Sequence, residues 1–152
     1  MNEWKYYRGV WKPAEPKYET IRKAIAWMQE LGFGNLKIQT TGESSTHMWS
    51  AAFKRTYSDM GEFLEKCKKD YVRESAVASR NGGPDRDWNE TCFTMDKNLE
   101  NDAIRVFIWI PENDYLAFKE KPVEARWVVS VGESLEGSEI VRMLVEVLEQ
   151  IG

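Results

Sequence analysis

The chain has 152 residues and a mass of 17.7 kDa, with 42% hydrophobic, 30% charged and 12% aromatic side chains. That is the size of one domain spanning 1–152, and so many charges with only ten Gly and five Pro argue against a disordered chain. No run approaches the ~18 apolar residues of a membrane-crossing helix, and the opening MNEWKYYRGVWKP lacks the apolar centre of a secretory signal, so a cytoplasmic protein without membrane attachment is expected.

The first strand is expected over Trp4–Val10, where Trp4, Tyr6, Tyr7 and, just beyond, Trp11 place aromatic rings on both faces. After Glu15-Pro16 the residues Tyr18, Ile21, Ile25 and Met28 recur at helical spacing, with Pro16 expected in the first turn and Leu31-Gly32 as the stop. Leu36–Thr41 then alternates with period two. Beyond a short loop expected at Gly42–Ser45, His47, Trp49, Ala51 and Phe53 line one face of a second strand, making a hairpin.

A second helix is expected from Asp59, with Glu62 in a capping-box relation and a stripe of Met60, Phe63, Leu64, Cys67 and Tyr71. Lys66, Lys68, Lys69, Arg73 and Arg80 follow its acidic beginning, the order that the helix macrodipole favours. Asn81-Gly82-Gly83-Pro84 breaks it and opens a polar loop over Asn81–Glu90. A short strand is expected over Thr91–Met95, and a more buried one over 104–110, with Ile104, Val106, Ile108 and Ile110 opposite Arg105, Phe107 and Trp109. Pro111–Asp114 reads as a turn, and Tyr115–Lys119 and Ala125–Val131 continue the meander. The last helix starts at Ser138 as N-cap, and Ile140, Leu144, Val147, Leu148 and Ile151 share one face. The fold class is therefore α+β: a mostly antiparallel sheet of about five to seven strands with three helices, in the order β-α-β-β-α-β-β-β-α.

Charge is uneven along the chain. Residues 1–41 carry seven Lys/Arg against four Asp/Glu, a balance of +3, and residues 42–80 seven against six, a balance of +1. Residues 81–152 carry seven against fifteen, a balance of −8. With a pI of about 5.2, no basic footprint for nucleic acid is expected.

Few chemistries survive inspection. A single histidine excludes two-histidine metal sites and HExxH centres. Ser44 or Ser45 beside His47 has neither a nucleophile elbow nor an oxyanion hole in the pattern. The hydroxyl-rich Thr40–Thr46 lacks the glycine and lysine spacing of a phosphate loop. Asp85, Asp87, Asn89 and Asp96 echo a calcium loop, but Glu90 stands where Gly is required. Cys67 and Cys92 are expected as reduced, separate thiols. No metal and no cofactor are expected, and catalysis would need carboxylates converging on His47.

The aromatic load of seven Trp, six Tyr and six Phe is the least ordinary feature. Trp27 and Trp109 suit the core, whereas the rings of the first strand need a second layer or a ligand. The leading expectation is a non-catalytic, acidic, tryptophan-rich interaction protein that binds and masks a macromolecular partner, most simply another protein. It is like immunity or antitoxin proteins in composition alone. The alternative is a small-molecule-binding domain in which Trp49, Trp109 and Trp127 form an aromatic pocket, a neighbouring acid favouring a planar cation. The candidate contact residues are Trp4, Tyr6, His47, Trp49, Asp85, Asp87, Arg105, Trp109 and Trp127. An uncovered sheet face would let a second copy pack as a homodimer.

Overall fold

The computed structural model describes residues 4–45, 50–67, 69, 88–111 and 120–151. The elements are β1 (Trp4–Trp11), α1 (Tyr18–Glu30), β2 (Gly34–Ser45), β3 (Ser50–Tyr57), α2 (described over 60–67), β4 (Trp88–Leu99), β5 (Asp102–Pro111), β6 (Ala125–Gly132), a 3-10 turn (Glu133–Leu135) and α3 (Glu139–Ile151). The strands form one antiparallel sheet in the order β1-β6-β5-β4-β2-β3. This is the α+β arrangement expected from the alternation of helical and strand periods.

One face of the sheet is largely apolar, with Thr40 and Thr91 as polar residues buried on it. Trp11, Ile38, Tyr57, Phe93, Met95, Ile104, Val106, Ile108, Ile110, Ala125, Trp127, Val129 and Val131 are buried there with Ile21, Ala24, Ile25 and Met28 of α1, Phe63 and Cys67 of α2, and Val141, Leu144 and Leu148 of α3. Each large aliphatic or aromatic side chain removed from water in this way contributes about 1.5–3 kcal/mol. Specific contacts fix where the helices sit. The indole of Trp11 donates to the Leu148 carbonyl at 2.7 Å, pinning α3 to the edge strand. Lys97 of β4 donates to the Leu31 carbonyl, capping the C-terminal end of α1. Phe63 meets Tyr57 and Phe93 edge-on, with ring centroids 5.6 and 5.9 Å away.

Local signals explain the helix ends. Gly32 follows α1 at φ +92°, a conformation that costs glycine nothing. At the start of α2 the Asp59 carboxylate accepts the Glu62 N–H at 2.7 Å, while Glu62 accepts from the Ser58 N–H and hydroxyl at 2.9 and 2.7 Å. Pro16 lies two residues ahead of α1, before the N-cap Lys17, and bridges to Pro122, instead of sitting in the first turn. Lys17 itself is fully buried, and among the described residues its ammonium has no hydrogen-bond partner. The Ser138 carbonyl accepts the first helical bond of α3, from Arg142, but its buried hydroxyl caps nothing.

Several expectations are corrected by pairing that crosses the whole sheet. Gly42–Ser45 is strand, not loop, because β2 stays paired with β3 through Ser45↔Ser50. The short strand at Thr91–Met95 is the twelve-residue β4, held between β2 and β5 despite its polar Asp96, Lys97 and Asn98. That pairing also removes the calcium-loop reading. Asn89, Glu90 and Asp96 belong to an extended strand, which rises about 3.3 Å per residue and cannot wrap an ion. Trp27 is half-buried on α1 and Trp109 half-buried on the other face of the sheet; among the described residues the core tryptophans are Trp11 and Trp127. The expected strand at Tyr115–Lys119, most of the loop before β4, and Tyr71, Arg73 and Arg80 lie outside the described residues.

Two substitutions test this packing. Gly9 lies beneath the indole of Trp127, where a Cβ would overlap the ring, so Gly9→Ala is expected to cost about 1–3 kcal/mol through overpacking. Trp11→Phe strands the buried Leu148 carbonyl and is expected to cost about 1–3 kcal/mol. Urea denaturation measures both, and unchanged midpoints would contradict the packing described.

Candidate functional site

The second face of the sheet has no helix over it among the described elements, and strand register puts its side chains in rows. Tyr6, Ser130, Arg105 and Asp96 stand opposite one another across β1, β6, β5 and β4. The next row is Arg8, Val128, Phe107, Thr94 and, on β2, Lys37. The row after that is Val10, Arg126, Trp109, Cys92, Gln39 and, on β3, Thr56. At the top Trp4 pairs with Gly132. β1 and β5 therefore carry large side chains on this face, and β6 between them carries small ones at two of its positions, Ser130 and Gly132.

This alternation of size makes a trough. Trp4, Tyr6, Arg8, Val10, Arg105, Phe107, Trp109, Arg126, Val128 and Ser130 all line an open concavity of ≈ 1000 Å³. Its walls stand two strand spacings apart, about 10 Å. Because β6 presents only Gly132 and Ser130 at the upper end, Arg105 reaches across it and lies over the Trp4 ring, 5.3 Å from the centroid. Arg8 lies over Tyr6 at 5.7 Å, and Phe107 and Trp109 stack at 5.7 Å with 13° between their planes. Each cation–ring contact at an exposed site is worth about 0.5–1 kcal/mol. Tyr6 and Val10 are 56% and 50% exposed, too much for residues whose purpose is to fill a core.

The electrostatics are opposite to those of the chain as a whole. Among the described side chains, five cations, Arg8, Lys37, Lys54, Arg105 and Arg126, share this face with two carboxylates, Glu90 and Asp96. Glu124 stands at the rim, paired with Arg126 at 3.0 Å. The acidic surplus lies elsewhere: Glu133 and Glu136 ahead of α3, and Glu139, Glu146 and Glu149 on it, are all exposed. Burial pushes the Cys92 thiol up, with nearby Glu90 adding to the shift and Thr94 opposing it, so at neutral pH it meets the face as a neutral thiol. Both Cys67 and Cys92 are free. Among the described residues no group of three His, Cys, Asp or Glu is placed to hold a metal ion.

Of the residues picked from sequence, Trp4, Tyr6, Arg105 and Trp109 come together in this trough. Trp127 borders it only with its backbone side. Its register partner Gly9 and its 1% exposure place the ring on the helix-covered face, so it cannot join Trp109 in one aromatic pocket. His47, Trp49, Asp85 and Asp87 lie outside the described residues. Sequence reasoning missed Arg8, Phe107 and Arg126. Period-two alternation places each beside a residue that was chosen, and a solvent face bearing Arg, Phe and Trp in sequence on one strand was the available signal.

No protein-family model matches the chain. Part of it is similar to isoleucine–tRNA ligases. It is 35% identical over 83 residues to that of Chromobacterium violaceum, which covers 52% of this chain and 9% of the ligase. It is 33% identical over 78 residues to that of Streptococcus pyogenes serotype M28, which covers 49% of this chain and 8% of the ligase. The chain thus spans less than a tenth of the length of the curated relatives it matches.

One carboxylate at the end of the trough carries a pH signature. Asp102 accepts from the Ser134 hydroxyl, the Ala103 N–H and the Ser134 N–H, and the first of these leads in holding its carboxyl below the usual range. A Cβ at Gly132 would overlap this carboxylate, which accounts for glycine there. A depressed folded-state value means that the unfolded chain binds more protons as the solution is acidified. Asp102 therefore stabilises the fold fully above the unfolded aspartate value of about 3.9, and that contribution fades as pH falls through the lower folded value. Asp102→Asn is expected to flatten the acid limb of stability against pH. An unaltered limb in chemical denaturation from pH 6 to 2.5 would contradict these bonds.

Proposed function

We propose that this chain is a non-catalytic binding protein whose working surface is the open sheet face, and that its ligand is planar and negatively charged. The observation that carries the reading is the trough itself: aromatic walls on β1 and β5, a narrow floor on β6, and Arg8, Arg105 and Arg126 within it. Aromatic faces hold flat groups by stacking, and guanidinium groups supply paired donors for anionic oxygens. The small-ligand alternative read from the sequence named a planar cation, but three arginines in the trough favour the opposite sign. They also disfavour a homodimer through this face, since a two-fold contact would set the same cations against themselves. Two free thiols suit the cytoplasm, where we place the protein. No helix among the described residues is long and apolar enough to cross a membrane.

The ligase similarity supplies no activity here. The name of those proteins joins isoleucine to tRNA, and a shared 83 residues out of so long a protein does not carry that chemistry across. A second reading has an observation of its own. The exposed acids around α3, with Met143 38% exposed among them, make a surface that a basic protein would fit, and masking such a partner is the role first expected from composition.

The two readings part in one experiment. Binding of 1-naphthalenesulfonate, followed by calorimetry, is expected to exceed that of the matching naphthyl-trimethylammonium cation. Arg105→Ala is expected to weaken it about tenfold or more, the loss of one charge-assisted contact, while Met143→Ala leaves it unchanged. A preference for the cation would contradict the reading. A basic protein whose capture is lost in Glu146→Lys but kept in Trp109→Ala would make α3 the working surface.

A further inference from the structure

The geometry points to a nucleoside monophosphate as the ligand of the open face. This rests on the reading of that face as a planar-anion site and specifies it. The trough of ≈ 1000 Å³ has space for one flat ring with its sugar and phosphate, in contact at about 3.5–4.0 Å with the ring it stacks on. The stacked Phe107–Trp109 pair offers a base an outer ring face. Charge is then distributed along the trough. The Arg8 guanidinium, lying over Tyr6, and Arg105 in the Tyr6 row stand toward the Trp4 end, where Asp96 faces Arg105 from β4, while Glu90 and the Glu124–Arg126 pair stand toward the Trp109 end. Arg105 and Trp109 are four residues apart on β5, about 13 Å, the span of a phosphate, a sugar and the far edge of a base.

Phosphate oxygens would accept from the two guanidinium groups at one end. Carboxylates at the other end accept from the amino and ring N–H groups that base edges present. Arg105 crosses β6 to lie on Trp4 at one end, and at the other Glu124 already occupies Arg126 at 3.0 Å and Glu90 adds a further carboxylate, so no free guanidinium stands there for a second phosphate. The site therefore holds one nucleotide unit and not a polynucleotide.

Calorimetry on the whole protein tests the assignment with the four common nucleoside monophosphates, their nucleosides, 1-naphthalenesulfonate and a decathymidylate. At least one monophosphate is expected to bind with 1:1 stoichiometry, and its nucleoside about tenfold or more weaker, the loss of one charge-assisted contact. Arg105→Ala is expected to erase that difference while leaving the nucleoside unaffected. Glu90→Gln with Glu124→Gln is expected to weaken bases bearing an amino group more than uridine monophosphate. Binding of naphthalenesulfonate with none of any nucleotide would overturn the nucleotide and leave the planar-anion reading standing. Binding of none of the compounds would overturn both. A decathymidylate bound tenfold more tightly than every monophosphate would overturn the single-unit site in favour of a strand.

Discussion

A sheet whose described helices all lie on one face is the constraint from which the rest of this molecule follows. Successive residues of a strand point to opposite faces, so burying Ile104, Val106, Ile108 and Ile110 under the helices commits Arg105, Phe107 and Trp109 to the other side. The same commitment runs through β1, where Trp11 enters the core and anchors α3 while Trp4 and Tyr6 stay outside. Core and open face are thus two aspects of one register. A slip of one residue in β5 would exchange them, which the energy of the buried aliphatic row forbids.

Within that constraint, side-chain size on β6 shapes the surface. Gly132 and Ser130 leave a floor low enough for Arg105 to reach Trp4 across the strand. On the helix side, Gly9 of β1 makes room for the indole of Trp127. Small residues next to large ones account for both the trough and the close packing beneath it. Charge follows the same division. Among its described side chains, a chain with a net charge of −4 sets five cations against two carboxylates on the sheet face and places five exposed acids around α3.

Much of this was legible in the residues. The amphipathic stripes of α1 and α3, the capping pair Asp59 and Glu62, and the alternation along 104–110 are local signals, and local signals survive folding. What the sequence concealed was non-local. β4 looks polar because Asp96, Lys97 and Asn98 interrupt it, yet pairing on both sides keeps it extended. Trp109 and Trp127 are equivalent in composition but fall on opposite faces, and only the register separates them. The basic character of the trough was hidden because Arg8, Arg105 and Arg126 come from three strands and meet only when the sheet forms. The segment balance of −8 drew attention to acidity, and five of those acids, Glu133, Glu136, Glu139, Glu146 and Glu149, stand around α3.

The central claim is that the open face, and no other surface, is where this protein meets its ligand. Hydroxyl-radical footprinting of the seven tryptophans, free and with a saturating planar anion, tests it most directly. Trp4 and Trp109 should react in the free protein and become protected on binding, while Trp11 and Trp127 stay unreactive throughout. Protection that leaves Trp4 and Trp109 untouched would contradict the account.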